Sequence, residues 1–185
     1  MAKDVFREYV IPFIGLKEGK NHFKFEIDDS FFTKFDSDTQ EFSDADIKVE
    51  MVLDKKPSFL TLDFFIEGSL KVVCDRCANE FRQELLDEHR VYVKFHEQAS
   101  EMEEEEDVIY LSTGESHINV AKLLYEFVLL SIPIQKVCPP LESGENGCNQ
   151  EVLKMLGGDE PPSNENDKNT DEDTDPRWSA LKKLK

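Results

Sequence analysis

The sequence has few basic residues and no apolar run long enough to cross a bilayer. Its 185 residues include 22 Lys and Arg against 40 Asp and Glu, so the formal net charge is −18. Because Lys and Arg supply most of the non-specific affinity for nucleic acid, general RNA binding is disfavoured. The apolar segment at residues 123–134 is short and is interrupted by polar side chains, which excludes a membrane-spanning helix there.

Recognisable catalytic motifs are also missing. The sequence contains no H-E-x-x-H, G-x-S-x-G, Walker or dinucleotide-binding motif. Its four histidines are scattered, and His22 and His89 have the pattern of surface residues on half-buried strands. We therefore assign no catalytic residue and expect no enzymatic activity. The charged N-terminal residues lack the apolar core of a signal peptide, which predicts a cytoplasmic protein.

The negative charge is concentrated in two blocks. Residues 97–107 hold seven acids and no base, and residues 158–175 hold eight acids and one Lys. Blocks of like charge are usually solvated and disordered, so we expect residues 158–175 to form a linker. Such blocks either provide solubility and spacing or act as acidic arms that compete for basic partners.

The first half of the chain shows the alternation of apolar and polar residues that is typical of half-buried antiparallel strands. Four such patterns occur, at residues 23–27, 47–53, 60–72 and 91–95. Gly68 interrupts the third pattern and predicts a bulge or a bend. Residues 28–35 predict a short helix capped by Asp28 or Asp29, and residues 55–58 predict a turn.

Two helices are predicted in the second half. The main one spans about residues 119–131, with Asn119 as its cap, and Pro133 ends it. A short strand at residues 108–111 precedes it, and a short helix is predicted at residues 150–156. The main helix has an apolar stripe broad enough to pack on a core. This stripe consists of Val120, Leu123, Leu124, Phe127, Val128 and Leu130.

The four cysteines form two pairs, a tight C-x-x-C at Cys74 and Cys77 and a looser pair at Cys138 and Cys148. Two disulfides are disfavoured in a cytoplasmic chain, where thiols stay reduced. Two pairs of this kind can close a tetrahedral site, so we predict a zinc centre that is structural, because four thiolates leave no open coordination position. The alternatives are four buried free thiols and a redox function of the C-x-x-C.

Two basic features could contact RNA despite the net charge. One is a local spot near the C-x-x-C, formed by Lys71, Arg76 and Arg82. The other is the end of the chain, where aromatic and basic side chains follow the acidic linker.

The end of the chain predicts a partner-binding motif. Trp178, Leu181 and Leu184 recur every three residues and can share one helical face, to which Arg177 and Lys182 add positive charge. A helix this short is marginal alone and needs a partner surface. The motif either docks in a groove of a protein or touches RNA, with Trp178 stacking on a base.

Five features carry a family resemblance, in order along the chain. They are V-C-D-R-C at 73–77 with Phe81 after it, the Glu-rich loop before a strand and helix, the helix ending in L-S-I-P at 130–133, the later cysteine region, and the ending D-P-R-W-S-A-L-K at 175–182. In these features the chain resembles the bacterial YceD family of large ribosomal RNA subunit accumulation proteins. The resemblance implies a role in the synthesis, processing or stability of large-subunit rRNA, and it supplies no mechanism.

We therefore expect an α+β domain at residues 1–157. It would consist of a predominantly antiparallel β sheet, or a partly open barrel, with one main helix and a zinc-knuckle-like clasp of four cysteines. An acidic disordered linker at residues 158–175 and the basic-aromatic motif at residues 176–185 would follow.

The leading functional hypothesis is a non-enzymatic factor in ribosome biogenesis. Its partner would be a ribosomal precursor or a basic ribosomal protein, and direct RNA contact and the oligomeric state stay open. The alternatives are a zinc-stapled interaction adaptor unrelated to ribosomes and a thiol redox protein that uses the C-x-x-C.

Overall fold

The computed structural model describes residues 6–35, 41–99, 105–141 and 147–156. The strands are Val10–Ile11 (β1), Gly19–Ile27 (β2), Phe42–Lys55 (β3), Phe59–Val73 (β4), Glu80–His96 (β5), Val108–Ser112 (β6) and Ile118–Asn119 (β7). A five-stranded sheet has the order β2-β3-β4-β5-β6, and β1 pairs with β7 in a separate two-stranded sheet.

Neighbours in the larger sheet are antiparallel except β5 and β6, which are parallel. Among the described strands, β2 and β6 each pair on one side, so the sheet is open and does not close into a barrel. The predicted turn joins β3 to β4, where the Lys56 N–H donates to the Phe59 carbonyl at 3.0 Å.

One face of the sheet carries the core. Alternate residues of the central strands are buried, and they lie opposite one another across the ladder, as Met51 does to Phe64 and Leu62 does to Val91. Burying one such side chain contributes about 1.5–3 kcal/mol. The predicted alternation is confirmed, because the period of two places alternate residues of each central strand on this face.

The described α-helices are Asp29–Thr33 (α1), Ala121–Ser131 (α2) and Gln150–Met155 (α3). Asp28 caps α1, as predicted, and its carboxylate accepts a hydrogen bond from the Phe31 N–H at 3.2 Å. At α2 the N-cap position is Val120, one residue later than predicted. Asn119 still supplies the polar contact, since its Oδ1 accepts a hydrogen bond from the Ala121 N–H at 2.9 Å.

The helix α2 packs on the core through Leu124, Phe127 and Val128, which are buried. Leu130 was assigned to the same stripe and is instead 69% exposed. It lies two residues, or about 200°, around the helix from Val128. His89 was predicted on the surface, but its ring stacks on Phe127 with 4.3 Å between centroids, because α2 covers the face of β5 that bears it.

The bulge predicted from Gly68 lies in the neighbouring strand. The strand β4 continues through Gly68, whereas β3 shifts its register between Ser43 and Asp46, and Asp44 has a φ of 51°. A Cβ at Gly68 would lie 2.3 Å from the Asp46 carbonyl oxygen. Glycine is therefore required here because the backbone of β3 approaches too closely for any side chain.

The chain divides into two units between Cys148 and Asn149. All seven strands, α1, α2 and the four cysteines belong to the first unit, and α3 belongs to the second. The predicted fold class, a mainly antiparallel sheet with one main helix, is confirmed. Among the described residues, none of the helices is long and apolar enough to cross a membrane. The predicted linker and C-terminal motif lie outside the described residues.

Candidate metal centre

The first cysteine pair lies in the connection between the two longest strands. Cys74 directly follows β4, and Cys77 lies three residues before β5 begins. The connection is closed by two backbone hydrogen bonds, from the Cys74 N–H to the Asn79 carbonyl at 2.8 Å and from the Ala78 N–H to the Cys74 carbonyl at 2.9 Å. Ala78 has a φ of 57°, so the chain reverses here through the left-handed region. The hairpin therefore fixes both thiols on one turn.

The second pair lies beyond α2, in segments without helix or strand. The chain is held against the first pair by a reciprocal contact two residues before Cys138. The Asp75 N–H donates to the Lys136 carbonyl at 2.8 Å, and the Lys136 N–H donates to Asp75 Oδ2 at 2.7 Å. A Cβ at Gly147 would lie 2.1 Å from the Pro139 carbonyl oxygen, so the backbone before Cys148 packs directly against the backbone after Cys138.

These contacts bring the four sulfurs together. All four Sγ atoms lie within 4.8 Å of one another. The Cys74–Cys148 pair is 3.8 Å apart and the Cys77–Cys138 pair 3.7 Å, and each of these contacts joins the two halves of the chain. Four sulfurs at a zinc–sulfur distance of 2.3 Å would lie about 3.8 Å apart at the corners of a tetrahedron. The arrangement is therefore close to that of a metal site with four thiolate ligands.

The thiols do not ionise alike. Burial disfavours the Cys74 thiolate, but the backbone N–H groups of Cys138, Arg76 and Cys77 outweigh burial and lower the pKa of Cys74 to about 6. Burial and the neighbouring sulfurs raise the pKa of Cys138 to about 12, and the same causes raise the pKa of Cys148. The Cys74 thiolate thus forms readily and its charge opposes ionisation of Cys138 and Cys148, a cost that a bound cation would remove.

This donor set allows the cluster to hold a metal ion. Three of the thiols are buried and Cys138 is partly exposed, and none of the four forms a disulfide. Thiolates are soft ligands of the kind preferred by zinc. Four of them fill a tetrahedron, so no position would be left for a substrate or an activated water.

The predicted convergence of Cys74, Cys77, Cys138 and Cys148 is confirmed. The predicted partner-binding residues lie outside the described part of the chain, and they stay a prediction; they are Arg177, Trp178, Leu181, Lys182 and Leu184.

In the predicted basic spot beside the C-x-x-C, one of the three cations forms an ion pair. Lys71 Nζ lies 2.6 Å from Asp44 Oδ2, and Arg82 donates to Ser69 Oγ at 2.8 Å. Arg76 is exposed and forms no ion pair with any described residue. The bulge in β3 is the cause, because it carries Asp44 to Lys71, and the sequence pattern placed that bulge elsewhere.

One contact and one glycine that contribute to the site were not predicted. Asp75 was treated as the variable residue of a C-x-x-C, and Lys136 had no assigned role, yet their reciprocal contact joins the halves of the site. Gly147 was treated as part of a loop rich in Pro and Gly. The only sequence signal for either is proximity to a cysteine, which does not specify a contact.

Comparison with known proteins identifies one family. A family model described as Large ribosomal RNA subunit accumulation protein YceD matches residues 62–185, more than half of the chain. The matched range begins within β4 and contains all four cysteines, whereas β1, β2, β3 and α1 precede it. No curated protein and no solved structure matches the chain.

Proposed function

This chain belongs to the YceD family, and from that premise we propose that it is a non-enzymatic factor in large-subunit ribosome biogenesis. The family's description, which names accumulation of the large ribosomal RNA subunit, supports a role in ribosome biogenesis in general. The finer proposal is that the protein supports the synthesis, processing or stability of large-subunit rRNA in the cytoplasm. The family match is the single observation that carries this proposal.

The metal proposed for the centre is zinc, in a structural role. The support is the set of four converging thiols and the fit of two of their separations, 3.7 and 3.8 Å, to a tetrahedral zinc–thiolate site. Zinc would be held by Cys74, Cys77, Cys138 and Cys148 and would supply folding free energy. It would join the end of the β4–β5 hairpin to the segment after α2.

The proposed partner is a large-subunit precursor or a basic ribosomal protein. Its support is the charge of the chain, which is −18 and repels phosphate but attracts Lys and Arg. Acidic surfaces would bind the basic partner, and the C-terminal motif around Trp178 would contact the precursor.

Sedimentation tests this function. Tagged full-length protein should co-sediment with large-subunit precursors at low salt, and a chain cut at residue 175 should not. A chain in which Trp178, Leu181 and Leu184 are replaced by Ser should behave like the cut chain, while a chain with Lys168→Ala serves as the matched control. Absence of co-sedimentation at low salt would contradict the proposal.

Metal analysis tests the zinc proposal separately. One zinc ion should be found for each chain of purified protein, and Cys74→Ser and Cys138→Ser should each abolish it. A zinc-free protein with a reversible Cys74–Cys77 disulfide would instead support the thiol redox alternative. Capture that resists nuclease and contains no ribosomal proteins would support the adaptor alternative.

A further inference from the structure

The strand β5 has an open edge over most of its length. It pairs with β4 from Glu80 to Lys94, but with β6 only from Tyr92 to His96. In the described part of the chain, residues 80–91 therefore have a partner strand on one side only. Unpaired edges of this kind can accept another extended chain.

The direction of the free backbone groups follows from one hydrogen bond. The Tyr92 N–H donates to the Asp107 carbonyl at 2.7 Å, so it points away from β4. Because the N–H and C=O of alternate residues point to the same side of a strand, those of Glu84, Leu86 and Glu88 also point to the open edge.

Two side chains confirm this direction. The Glu88 N–H donates to Asp87 Oδ1 at 2.9 Å, and the Glu84 carbonyl accepts from Gln83 Nε2 at 2.8 Å. Neither backbone group could make these bonds if it faced β4. Leu86 lies between the two capped positions, and no described side chain caps its N–H or C=O. The edge is thus shielded on both sides of Leu86 and open at Leu86 itself.

The side chains around this point are apolar and acidic. Leu86 is 85% exposed and Phe65 is 40% exposed, although both belong to the regular sheet. Glu67 lies directly opposite Leu86, while Glu84 and Glu88 lie two residues to either side on the same face. None of these three carboxylates forms an ion pair with a described residue. We call Phe65, Glu67, Glu84, Leu86 and Glu88 the Leu86 patch.

We propose that the open edge of β5 at Leu86 binds an extended basic segment of a protein partner, which adds to the sheet as a further strand. One residue of that segment would exchange two backbone hydrogen bonds with Leu86. Its apolar side chains would cover Leu86 and Phe65, and its Lys or Arg side chains would meet the three unpaired carboxylates. This inference rests on the proposed function, because it assigns the basic ribosomal partner to one surface.

Charge selects this occupant over two others. A second copy of this chain would bring the carboxylates of two Leu86 patches together, which is unfavourable at short range. RNA would bring phosphate against the same carboxylates. The caps from Gln83 and Asp87 also limit indiscriminate pairing, since they must be displaced before a longer ladder forms.

Binding of a defined peptide tests the inference. The probe is a synthetic peptide of about eight residues in which every second residue is in turn Lys or Val and the residues between them are Thr, so that Lys and Val lie on the same face of the extended chain. The control peptide has Glu in place of Lys. The basic peptide should bind the full-length protein at low salt, and its affinity should fall as the salt concentration rises. The acidic peptide should not bind.

Amide hydrogen exchange locates the site. The Leu86 amide should exchange quickly in the free protein and slowly in the complex, because the added strand supplies its acceptor. The Leu85 amide points toward β4 and should be protected in both states. Binding without protection at Leu86 would overturn the inference.

A matched pair of triple variants tests the charges. The triple variant Glu67→Gln, Glu84→Gln and Glu88→Gln should bind the basic peptide about tenfold more weakly at low salt. Glu18→Gln with Glu106→Gln and Glu115→Gln removes the same charge from exposed sites elsewhere and should change affinity by about twofold or less. Equal effects of the two triple variants, or no binding to the unmodified protein, would also overturn it.

The two proposals fail in different ways. If the protein co-sediments with large-subunit precursors but does not bind the peptide, the binding site at the Leu86 patch is disproved and the proposed function stands. If the peptide binds at Leu86 but the protein does not co-sediment with precursors, the binding site stands and the ribosomal function is disproved.

Discussion

The two halves of the cysteine site are built in different ways. Cys74 and Cys77 lie at the end of a hairpin whose strands have 15 and 17 residues, and backbone hydrogen bonds close the turn that carries them. Cys138 and Cys148 lie in segments without regular secondary structure, where the Asp75–Lys136 contact and the close packing of Gly147 hold the chain.

We propose from this difference that the sheet fixes one half of the site and that a bound metal would order the other. The hairpin half keeps its geometry through ladder hydrogen bonds that do not involve the thiols. The second half has few such bonds, so a bound metal would contribute more to its order. Substitutions in the two halves should therefore separate the stability of the sheet from the affinity for metal.

Loss of one ligand should give the largest effect. Cys138→Ser and Cys74→Ser should each lower the free energy of unfolding by several kcal/mol in the presence of zinc, since structural zinc contributes directly to folding. Chelation of the unmodified protein should lower it by a similar amount, which is the control for an effect through the metal.

Hydrogen exchange should then show which half depends on the metal. In the metal-free protein, amides at residues 133–141 should lose protection, and those within β4 and β5 should keep it. Equal loss in both regions would contradict the difference between the halves.

Gly68→Ala should damage the sheet and spare the metal centre. Its Cβ would lie 2.3 Å from the Asp46 carbonyl oxygen and 2.6 Å from the Ile47 Cα, both backbone atoms that cannot swing away. We expect a loss of about 1–3 kcal/mol in unfolding free energy, with zinc content unchanged. Gly114→Ala is the control, because nothing lies within 4 Å of its added Cβ. Similar denaturation midpoints for the two variants would show that β3 can move away.

Gly147→Ala should have the opposite signature. The new Cβ would lie 2.1 Å from the Pro139 carbonyl oxygen and would push Cys148 away from Cys138. We expect zinc affinity to fall about tenfold, which corresponds to about 1.4 kcal/mol, while the stability of the metal-free sheet stays the same. Competition with a chromophoric chelator measures the affinity. An unchanged affinity would mean that the loop rearranges without cost.

Asp75→Ala should give the smallest effect. It removes the acceptor of the Lys136 N–H at 2.7 Å but leaves the bond from the Asp75 N–H in place. The expected loss is about 1 kcal/mol, seen as weaker zinc binding in the same competition. Arg76→Ala, at the exposed neighbouring position, is the control and should bind zinc normally.

The sequence predicted those parts of the fold that depend on local periodicity. Alternation identified the long strands, and Pro133 and Asp28 marked helix boundaries, because each effect is set by the residue itself. The predicted position of the bulge was wrong because two strands share each ladder. Gly68 marks the place where the backbones of β3 and β4 come close, whereas Asp44 in β3 adopts the irregular φ.

Of the candidate site, the sequence predicted the four cysteine ligands but not the contacts that bring them together. The spacing of Cys74 and Cys77 is informative because two thiols on one turn suit one metal ion. The contact that brings Cys138 to them joins residues 61 apart in sequence, Asp75 and Lys136, and neither has a side chain diagnostic of metal binding. The open edge of β5 was equally hidden, since a half-buried strand shows the same alternation whether one or two neighbours pair with it.

The parallel pairing of β5 with β6 places a length requirement on the acidic block between them. Val108 lies opposite Tyr92, so after His96 the chain must run back past four residues of β5 before β6 can begin. That return is about 14 Å, and the 11 intervening residues could extend to about 36 Å. A connection between neighbouring parallel strands must also leave and re-enter the sheet, which usually takes about a dozen residues. Deletions in this block should therefore disturb the pairing of β5 with β6, whereas exchanges of its acids other than Glu105 should not. Topology thus limits the length of this block, while its charge outside Glu105, which Tyr110 and Lys94 contact, is left to other demands.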